Sequence, residues 1–352
     1  MGSQVLSRVR AALALQARVP LAGLPTPLDD ARRLREALGG ASRCPRILIK
    51  RDDLTVLGLG GNKARKLEFL VADALAQGAA TLITTGAVQS NHARMTAAAA
   101  CVAGLRCVLV LTTTTDDPPI AGNLLLDKLY GATVRLVPSE DPMLAVGHDE
   151  AVVAEVVADE QAHGRRPYVI PIGGSSGVGV MGYVGGTAEL VEQLEAIGVS
   201  PTRLYYASGS RGTQAGLTLG AKICGAPYRV YGVAVSAGEP EKIERARRIA
   251  NDAGARLGLA ERVDLPDLVT DQGFIGEGYG IPTPAGIEAI ALLARTEAVL
   301  LDPCYTSKAM AALIHHARTG ALTASETVVF LHTGGVPALF TDSFVSAFEK
   351  GV

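Results

Sequence analysis

Residues 58–70 read GLGGNKARKLEFL, a glycine-rich turn that runs directly into the start of an amphipathic helix. Lys63 stands at the junction, where three roles are open to it: a surface charge, a clamp for a phosphate group, or a nucleophile. Removing water around a lysine in a tight turn favours its neutral, nucleophilic form. Arg65 and Lys66, further along the same helix, are interpreted as charges on the helix surface. The rest of the chain decides among the roles of Lys63.

Short apolar segments alternate with helical patterns on both sides of this stretch. We predict strands at residues 46–50, 81–85, 106–111, 133–137, 168–172, 203–207, 228–235 and 327–332. We predict helices between them, for example at residues 64–77, 90–103, 120–130 and 145–163. Strands that are apolar throughout and separated by helices indicate an α/β fold, with open, mostly parallel twisted sheets covered by helices on both faces.

In such sheets, ligands bind where a strand ends and a loop leads into a helix. The segment SGSRGTQAGL follows the strand predicted at 203–207, and its loop has the backbone flexibility of a phosphate cradle at a helix start. The residues of this loop are Gly209, Ser210, Arg211, Gly212 and Thr213. No Gly-Lys-Ser/Thr sequence follows, which argues against a nucleoside triphosphate. A plain glycine-rich turn is the alternative.

A second junction, GAVQSNHAR, follows the strand predicted at 81–85 and carries four side chains that form hydrogen bonds. These are Gln89, Ser90, Asn91 and His92. One of them suffices to cap the following helix, so the group as a whole also suits a bound carboxylate at a helix N-terminus. Thr333 follows the last predicted strand, and Tyr279 and Tyr305 lie in other turns, where buried structural tyrosines are the alternative.

Gly177, Gly179 and Gly182 match the spacing G-x-G-x-x-G after a predicted strand. The dinucleotide fingerprint also requires an acidic residue at the end of the next strand. That strand ends in YYASGS, without an acid. A nicotinamide cofactor is therefore disfavoured.

The chain has 352 residues, 48% of them hydrophobic, which suits a large core and about two domains. Its net charge of −2 implies no attraction to nucleic acid, and no apolar run is long enough to span a bilayer. Five cysteines occur without the short spacing of a zinc site, so we expect no metal and a reduced, cytoplasmic protein. The expected partner is a small molecule.

Together the junctions provide a site for a single phosphate, a lysine at a glycine turn and several hydroxyls, but no pair of acids. This combination suggests pyridoxal 5′-phosphate bound covalently by a lysine. The loop at 209–213 takes the phosphate role, which leaves Lys63 as the nucleophile.

The chain resembles the fold type II pyridoxal-phosphate enzymes, and within them the family of D-cysteine desulfhydrase and 1-aminocyclopropane-1-carboxylate deaminase. The matching stretches are IKRDDL, GGNKARKLEFL, GAVQSNHAR, IPIGGSSGVGVMGY, SGSRGTQAGL, GYGIP, LDPCYTSKAM and HTGGVPALF. They occur in order from about residue 20 to residue 342, which is nearly the whole chain. The resemblance implies a large domain of residues 1–65 and 181–352, a small inserted domain of residues 66–180, and a homodimer.

The resemblance also implies roles for the cofactor site. Lys63 corresponds to the lysine that binds the cofactor and then moves the Cα proton, and Ser90 or a neighbouring tyrosine is the alternative for removing that proton. Asn91 corresponds to the residue near the cofactor's phenolic oxygen, and residues 209–213 correspond to the phosphate loop. Thr333 is the expected partner of the pyridine nitrogen.

For the substrate, the resemblance assigns the carboxylate to Ser90, Asn91 and His92, and we expect Gln89 and Thr306 to bind the substrate as well. Tyr279 and Tyr305 correspond to tyrosines that flank the substrate. The family's phosphate loop usually has glycine where this chain has Arg211. A Cβ restricts positive φ, so we expect either a negative φ or a slightly bent loop. We expect the guanidinium to point to solvent rather than to bind a phosphate or an anionic substrate.

The position after Tyr305 distinguishes the reactions of the family. The deaminase has a glutamate there, which protonates the pyridine nitrogen and favours ring opening, whereas this chain has Thr306. The resemblance therefore implies β-elimination, with D-cysteine as the leading substrate. L-cysteate sulfo-lyase and the deaminase remain alternatives, with Arg211 and the segment TTTTDDPP at 112–119 as candidate contacts for a sulfonate. A binding protein on a former enzyme scaffold is the non-enzyme alternative.

Overall fold

The computed structural model describes residues 2–139, 148–238 and 240–351. The strands within these ranges are β1 (Leu28–Asp30), β2 (Arg46–Lys50), β3 (Thr81–Ala87), β4 (Arg106–Thr113), β5 (Thr133–Pro138), β6 (Pro167–Ile170), β7 (Arg203–Ser208), β8 (Arg229–Ala234), β9 (Val269–Asp271) and β10 (Thr327–Leu331). The α-helices are α1 (Gly2–Ala14), α2 (Arg32–Ala37), α3 (Lys63–Ala76), α4 (Asn91–Ala103), α5 (Gly122–Leu129), α6 (His148–Ala162), α7 (Gly177–Ala196), α8 (Gly212–Cys224), α9 (Glu241–Arg256), α10 (Pro284–Glu297), α11 (Thr306–Arg318) and α12 (Asp342–Gly351).

The strands form two sheets, one in the order β1-β2-β10-β7-β8-β9 and one in the order β5-β4-β3-β6. Neighbouring strands pair in parallel, except that β1 is antiparallel to β2. The larger sheet takes strands from both ends of the chain, whereas the smaller sheet is built from the continuous segment between β2 and β7. The prediction of mostly parallel α/β sheets is confirmed.

Every predicted strand is present, and its ends agree with the prediction to within two residues. The prediction missed β1 and β9, two edge strands of three residues each, LDD and VTD. Acidic residues interrupt their apolar pattern, so neither segment has the periodicity of a buried strand. The predicted helix at 145–163 corresponds to α6, and its first residues, 145–147, lie outside the described ranges.

Both faces of each sheet are covered by helices. In β2, Leu48 packs into the core under α7 and α8, whereas Ile47 and Ile49 pack into the core under α10 and α11. The smaller sheet packs against α3 and α4 on one face and against α6 on the other. This arrangement leaves the carboxyl ends of the strands for the loops that carry the site. In the described part of the chain, every helix is too short or too polar to cross a membrane.

Candidate active site

The loops after β3 and β6 of the smaller sheet and after β7 and β10 of the larger sheet line one cleft. The cleft holds about 740 Å³ of empty space, including its open mouth. The predicted site residues that line it are Lys63, Ser90, Asn91, His92, Gly209, Ser210, Arg211, Thr213, Tyr279, Tyr305 and Thr333. Predicted residues from six separate parts of the chain therefore meet at this cleft.

Lys63 is the first residue of α3, and its Nζ donates a hydrogen bond of 2.9 Å to Asn62 Oδ1. The amide of Asn62 in turn donates to Thr213 Oγ1 at 3.0 Å, which ties the lysine to the loop at 209–213. Burial, and next the cation of Arg94, lower the Lys63 pKa to about 8. A substantial fraction of the amine is therefore neutral near physiological pH.

The loop between β7 and α8 has the features of an anion site. The first N–H groups of α8 have no acceptor within the helix, and the helix dipole places partial positive charge there. A Cβ on Gly212 would lie 2.6 Å from Ser175 Oγ and 2.9 Å from Lys66 Nζ, so these groups pack directly against the loop. Ser175 also donates to Ser210 Oγ at 2.9 Å. The loop thus lies beside the buried amino group of Lys66.

The interpretation of Arg65 and Lys66 as surface charges was wrong, because each is only 1% exposed. Lys66 Nζ donates to the carbonyl of Gly173 at 2.9 Å, and burial, followed by the charge of Lys63, lowers its pKa well below the usual value. Arg65 is paired with Asp52 at 2.8 Å. Packing against α7 and the loop after β6 encloses this end of α3.

The expectation that Arg211 points to solvent was also wrong, since the residue is 2% exposed. Its Nη1 donates to Gln214 Oε1 at 3.2 Å and to Thr270 Oγ1 at 3.4 Å. The backbone takes the bent alternative, with a φ of 69° in the left-handed region. Such a conformation destabilises a residue other than glycine by roughly 1–2 kcal/mol. Arg211 therefore braces the loop against β9.

Ser90 is the N-cap of α4, where its Oγ accepts a hydrogen bond from Ala93 N at 3.2 Å, and it also lines the cleft. His92 Nε2 lies 2.9 Å from Thr84 Oγ1, whose own proton is donated to the Ile170 carbonyl at 2.8 Å. His92 therefore donates from Nε2, which leaves Nδ1 as an acceptor. Burial lowers the His92 pKa well below its usual value, so the ring is neutral. The backbone N–H groups at this helix start, rather than the imidazole, suit a carboxylate.

Tyr279 and Tyr305 face each other across the cleft wall. Their hydroxyls are hydrogen-bonded to each other, and their rings lie edge to face with centroids 5.7 Å apart. Burial raises both pKa values well above the usual value, so both phenols are protonated at physiological pH. The pair can therefore donate hydrogen bonds to a substrate.

Gln89, Gly212 and Thr306 are not among the residues that line the cleft. The amide of Gln89 binds the start of α5, donating to the Ala121 carbonyl at 3.0 Å and accepting from Asn123 N at 2.9 Å. The Thr306 side chain is fully buried, and its hydroxyl donates to Asp302 Oδ1 at 2.7 Å. The side chains of Gln89 and Thr306 are therefore hydrogen-bonded within the protein.

Sequence reasoning missed several residues that line or support the cleft: Asn62, Lys66, Gly173 and Ser175. One signal was available for Lys66, because a residue three positions after Lys63 on a helix lies on the same face. Gly173 and Ser175 lie just before the glycines that matched the dinucleotide spacing. That segment packs on the loop at 209–213 instead.

Comparison with known proteins fits this geometry. Residues 19–334 match the family model described as pyridoxal-phosphate dependent enzyme. D-cysteine desulfhydrase of Salmonella typhi is 43% identical over 327 residues, which is 92% of this chain and 95% of that protein. The crystal structure of an ACC deaminase homologue has a TM-score of 0.86 at 36% identity, covering 98% of this chain and 99% of the other.

The crystal structure of a T.th. threonine deaminase superposes with a TM-score of 0.60 at 24% identity, covering 94% of this chain and 97% of the other, and it shows the common fold. The lysine at the glycine turn, the anion loop and the paired tyrosines stand within the matched span. The chain belongs to the pyridoxal-phosphate dependent enzymes of fold type II, in the family of D-cysteine desulfhydrases and ACC deaminases.

Proposed function

We propose that this enzyme catalyses β-elimination from D-cysteine, which with one water gives pyruvate, ammonia and hydrogen sulfide. The observation that carries the proposal is the composition of the cleft. It combines a lysine of lowered pKa with hydroxyl and amide groups, and the described residues that line it include no aspartate or glutamate. When the pyridine nitrogen of the cofactor is held by a hydroxyl rather than a carboxylate, elimination of a good leaving group is favoured over the opening of a cyclopropane ring.

The residues of the cleft fit pyridoxal 5′-phosphate. The loop at 209–213 and Lys66 would hold the phosphate, since the tight packing of Gly212 leaves Lys66 Nζ beside the loop. Lys63 would bind the aldehyde, Asn91 would lie near the phenolic oxygen, and Thr333 would face the pyridine nitrogen. When bound, the cofactor supplies an electron sink that acidifies the Cα proton of an amino acid.

The chain's own groups divide the remaining work. The N–H groups at the start of α4, capped by Ser90, would hold the substrate carboxylate and fix its orientation. Lys63, whose pKa of about 8 leaves part of the amine neutral, would take the proton from Cα. Tyr279 and Tyr305 are both protonated; one of their two protons is shared between the hydroxyls, and the other would be donated to the departing thiolate.

The structure gives no support to the contacts considered for a sulfonate. Arg211 braces the phosphate loop through Gln214 and Thr270, and residues 112–119 are not among those lining the cleft. A thiol leaving group, which needs no dedicated cation, therefore fits the described cleft better than a sulfonate.

A substrate panel with the purified holoenzyme tests the proposal. D-cysteine, L-cysteine, L-cysteate, β-chloro-D-alanine and 1-aminocyclopropane-1-carboxylate would be scored for sulfide, sulfite, pyruvate and α-ketobutyrate. We expect sulfide and pyruvate from D-cysteine, and loss of this activity in Lys63→Ala. Sulfite from cysteate without sulfide from D-cysteine, or α-ketobutyrate from the cyclopropane, would overturn it.

We further propose that the chain works in the cytoplasm as a homodimer, with a small domain of residues 66–180 inserted into a large one of residues 1–65 and 181–352. The position of the smaller sheet between β2 and β7 supports the insertion of one domain into the other. Light scattering during gel filtration would measure the molecular mass. A monomer's mass, 36.4 kDa, would contradict the dimer.

A further inference from the structure

The side chain of Arg94, on α4, is fully buried beside the turn that carries Lys63. Its Nη2 donates to the carbonyl of Gly60 at 3.0 Å, and its Nη1 donates to the carbonyl of Gly58. Its Nε donates to Asn123 Oδ1 at 2.8 Å. The guanidinium thus binds two backbone carbonyls of one turn and one side chain of another element.

The turn it binds has an unfavourable backbone. Residues 58–61 all have positive φ, namely 51°, 65°, 73° and 130°, and one of them is Leu59. A Cβ on Gly60 would lie 1.9 Å from the Asp53 carbonyl, so the turn is also closely packed. Strained conformations persist only where surrounding contacts fix them. Arg94 supplies two such contacts, one on each side of the strained leucine and both within five residues of Lys63.

Asn123, at the start of α5, connects Arg94 to the opposite side of the cleft. While its Oδ1 accepts from Arg94, its Nδ2 donates to the Gln89 carbonyl at 2.9 Å and to Asn91 Oδ1 at 3.1 Å. The side chain is fully buried. One asparagine therefore links the guanidinium to the turn that begins α4.

We propose that Arg94 and Asn123 are positioning residues. Together they fix the position of the turn that carries Lys63 relative to the turn at 89–91. Neither residue lines the cleft. They act through the groups they hold: Arg94 through the carbonyls before Lys63, and Asn123 through Gln89 and Asn91. The inference rests on the proposed roles of Lys63 and of the turn that binds the substrate carboxylate.

The two residues differ in charge, which separates their effects. Arg94 carries a cation that disfavours the ammonium form of Lys63, whereas Asn123 is neutral. The other charged groups that act on or with Lys63 are Asp302, which favours its ammonium form, and the buried Lys66. Removing the Arg94 cation should therefore change the protonation of Lys63, and removing Asn123 should not.

The experiment compares Arg94→Met, Arg94→Lys, Asn123→Ala and the control Asn251→Ala. Asn251 also binds a neighbouring segment through both ends of its amide, but far from the cleft on α9. Acetylation of Lys63 in the cofactor-free protein, followed by mass spectrometry across a pH series, gives the pH midpoint of its reactivity. This readout needs neither substrate nor turnover, so it stays interpretable if D-cysteine proves to be the wrong substrate.

We expect Arg94→Met to raise the midpoint, because the cation that disfavours the ammonium form of Lys63 is gone. It should also lower kcat roughly 10- to 100-fold, because misplacement of a reacting group has effects of that size. Arg94→Lys, which keeps the charge without the fork, should lower kcat while leaving the midpoint near the native value. Asn123→Ala should leave the pH midpoint of Lys63 unchanged and should raise the KM for the amino acid roughly tenfold. Asn251→Ala should match the native enzyme.

Two results would overturn the inference. One is an unchanged midpoint and unchanged kcat in Arg94→Met. The other is an Asn123→Ala enzyme with the same KM and kcat as Asn251→Ala, which also decides the matter if the Arg94 variants do not fold.

Discussion

Arg65 and Lys66 are neighbours on α3 and equally buried, yet their surroundings differ completely. Arg65 is paired with two carboxylates, Asp52 at 2.8 Å and Glu189 at 2.9 Å. The described hydrogen bond of Lys66 goes to a neutral carbonyl, that of Gly173. A buried cation is expensive unless it is paired. A buried cation that is paired with carboxylates therefore has a structural role. A buried cation that lies beside a cleft and has no carboxylate partner indicates a site for an anionic ligand.

The ionic cluster around Arg65 is balanced in charge by groups of the protein itself. Lys50, Asp52, Arg65 and Glu189 contribute two positive and two negative charges, and Tyr183 donates to Asp52 Oδ2 at 2.6 Å. Lys50 lies on β2, Arg65 on α3 and Glu189 on α7, so the cluster joins three elements of the fold. Its balanced charges leave no group that requires a ligand.

The buried basic residues beside the cleft, in contrast, have no balancing charges in the described part of the chain without a ligand. Burial lowers the pKa values of Lys63, Lys66 and His92, and none of the three forms an ion pair within the described residues. The loop at 209–213 adds the positive end of α8. An anion such as the phosphate of the cofactor would stabilise the ammonium form of Lys66 and the positive end of α8.

The largest expected effect comes from Arg65→Met, which breaks the complete cluster. Removing one partner leaves buried carboxylates without compensation, and we expect a loss of about 3–5 kcal/mol in the free energy of unfolding. Urea denaturation of the cofactor-free protein measures it. The control is Arg247→Met, which removes an exposed pair with Glu244 on α9. A change in the free energy of unfolding as small as that of the control would contradict a structural role for Arg65.

Little of this contrast was visible in the sequence. Apolar runs and glycine junctions sufficed for the strands and for most residues of the cleft, because both depend on local patterns. Burial of Arg65 depends on Asp52, 13 residues away, and on Glu189, 124 residues away. A helical pattern with charges at successive positions predicts an exposed face unless such distant partners are known.

The same limit explains two predicted site residues that do not line the cleft. Gln89 is engaged by the start of α5, more than 30 residues further along the chain. Thr306 is held by Asp302, only four residues earlier, so a local signal did exist in that case. An acidic residue shortly before a helix commonly binds its first turn, and the LDPCYT motif contains one.

Asp127 is the anionic counterpart of an unpaired buried cation. It is a fully buried carboxylate whose two oxygens have no hydrogen-bond donor among the described residues. Burial raises its pKa to about 7, and the cation of Arg94 opposes that shift. The unfolded chain loses this proton near pH 4, so the folded state loses stability as the pH rises from about 4 to about 7. Above that range the full penalty remains.

We therefore expect Asp127→Asn to stabilise the protein, by about 2–3 kcal/mol more at pH 8.5 than at pH 5. Urea denaturation at the two pH values measures the difference. Asp252→Asn, which alters an exposed pair with Arg256, is the matched control and should give no comparable gain. Equal effects of Asp127→Asn at both pH values would show that the carboxylate has found a partner.

Lys66→Met tests the functional side of the comparison. Without the ammonium group we expect cofactor affinity to fall roughly tenfold, or about 1.4 kcal/mol, while the cofactor-free protein keeps its stability or gains some. Titration followed by visible absorbance measures the affinity, and urea denaturation measures the stability. The control is Lys222→Met, whose lysine pairs with Asp267 at the surface. Destabilisation of the cofactor-free protein to the extent seen in Arg65→Met would mean that Lys66 is structural.

The smallest effect is expected at Lys308, a fully buried lysine on α11 that also binds carbonyls. Its Nζ donates to Ile275 at 2.6 Å and to Gly278 at 2.8 Å, in the loop just before Tyr279. The carbonyls that Lys308 binds belong to this loop and not to the loop at 209–213, against which Lys66 Nζ lies, so its ammonium group should secure the loop before Tyr279 rather than bind a phosphate.

Lys308→Met should therefore raise the KM for the amino acid by roughly threefold to fivefold through a looser Tyr279, with cofactor affinity unchanged. Limited proteolysis should cut the loop at 272–280 faster than in the native enzyme. The pair of results separates Lys308 from Lys66, for which cofactor affinity falls and the loop stays protected. If Lys308→Met instead weakens the cofactor as Lys66→Met does, contact with the ligand is not what distinguishes the two lysines, and charge alone sets their effect.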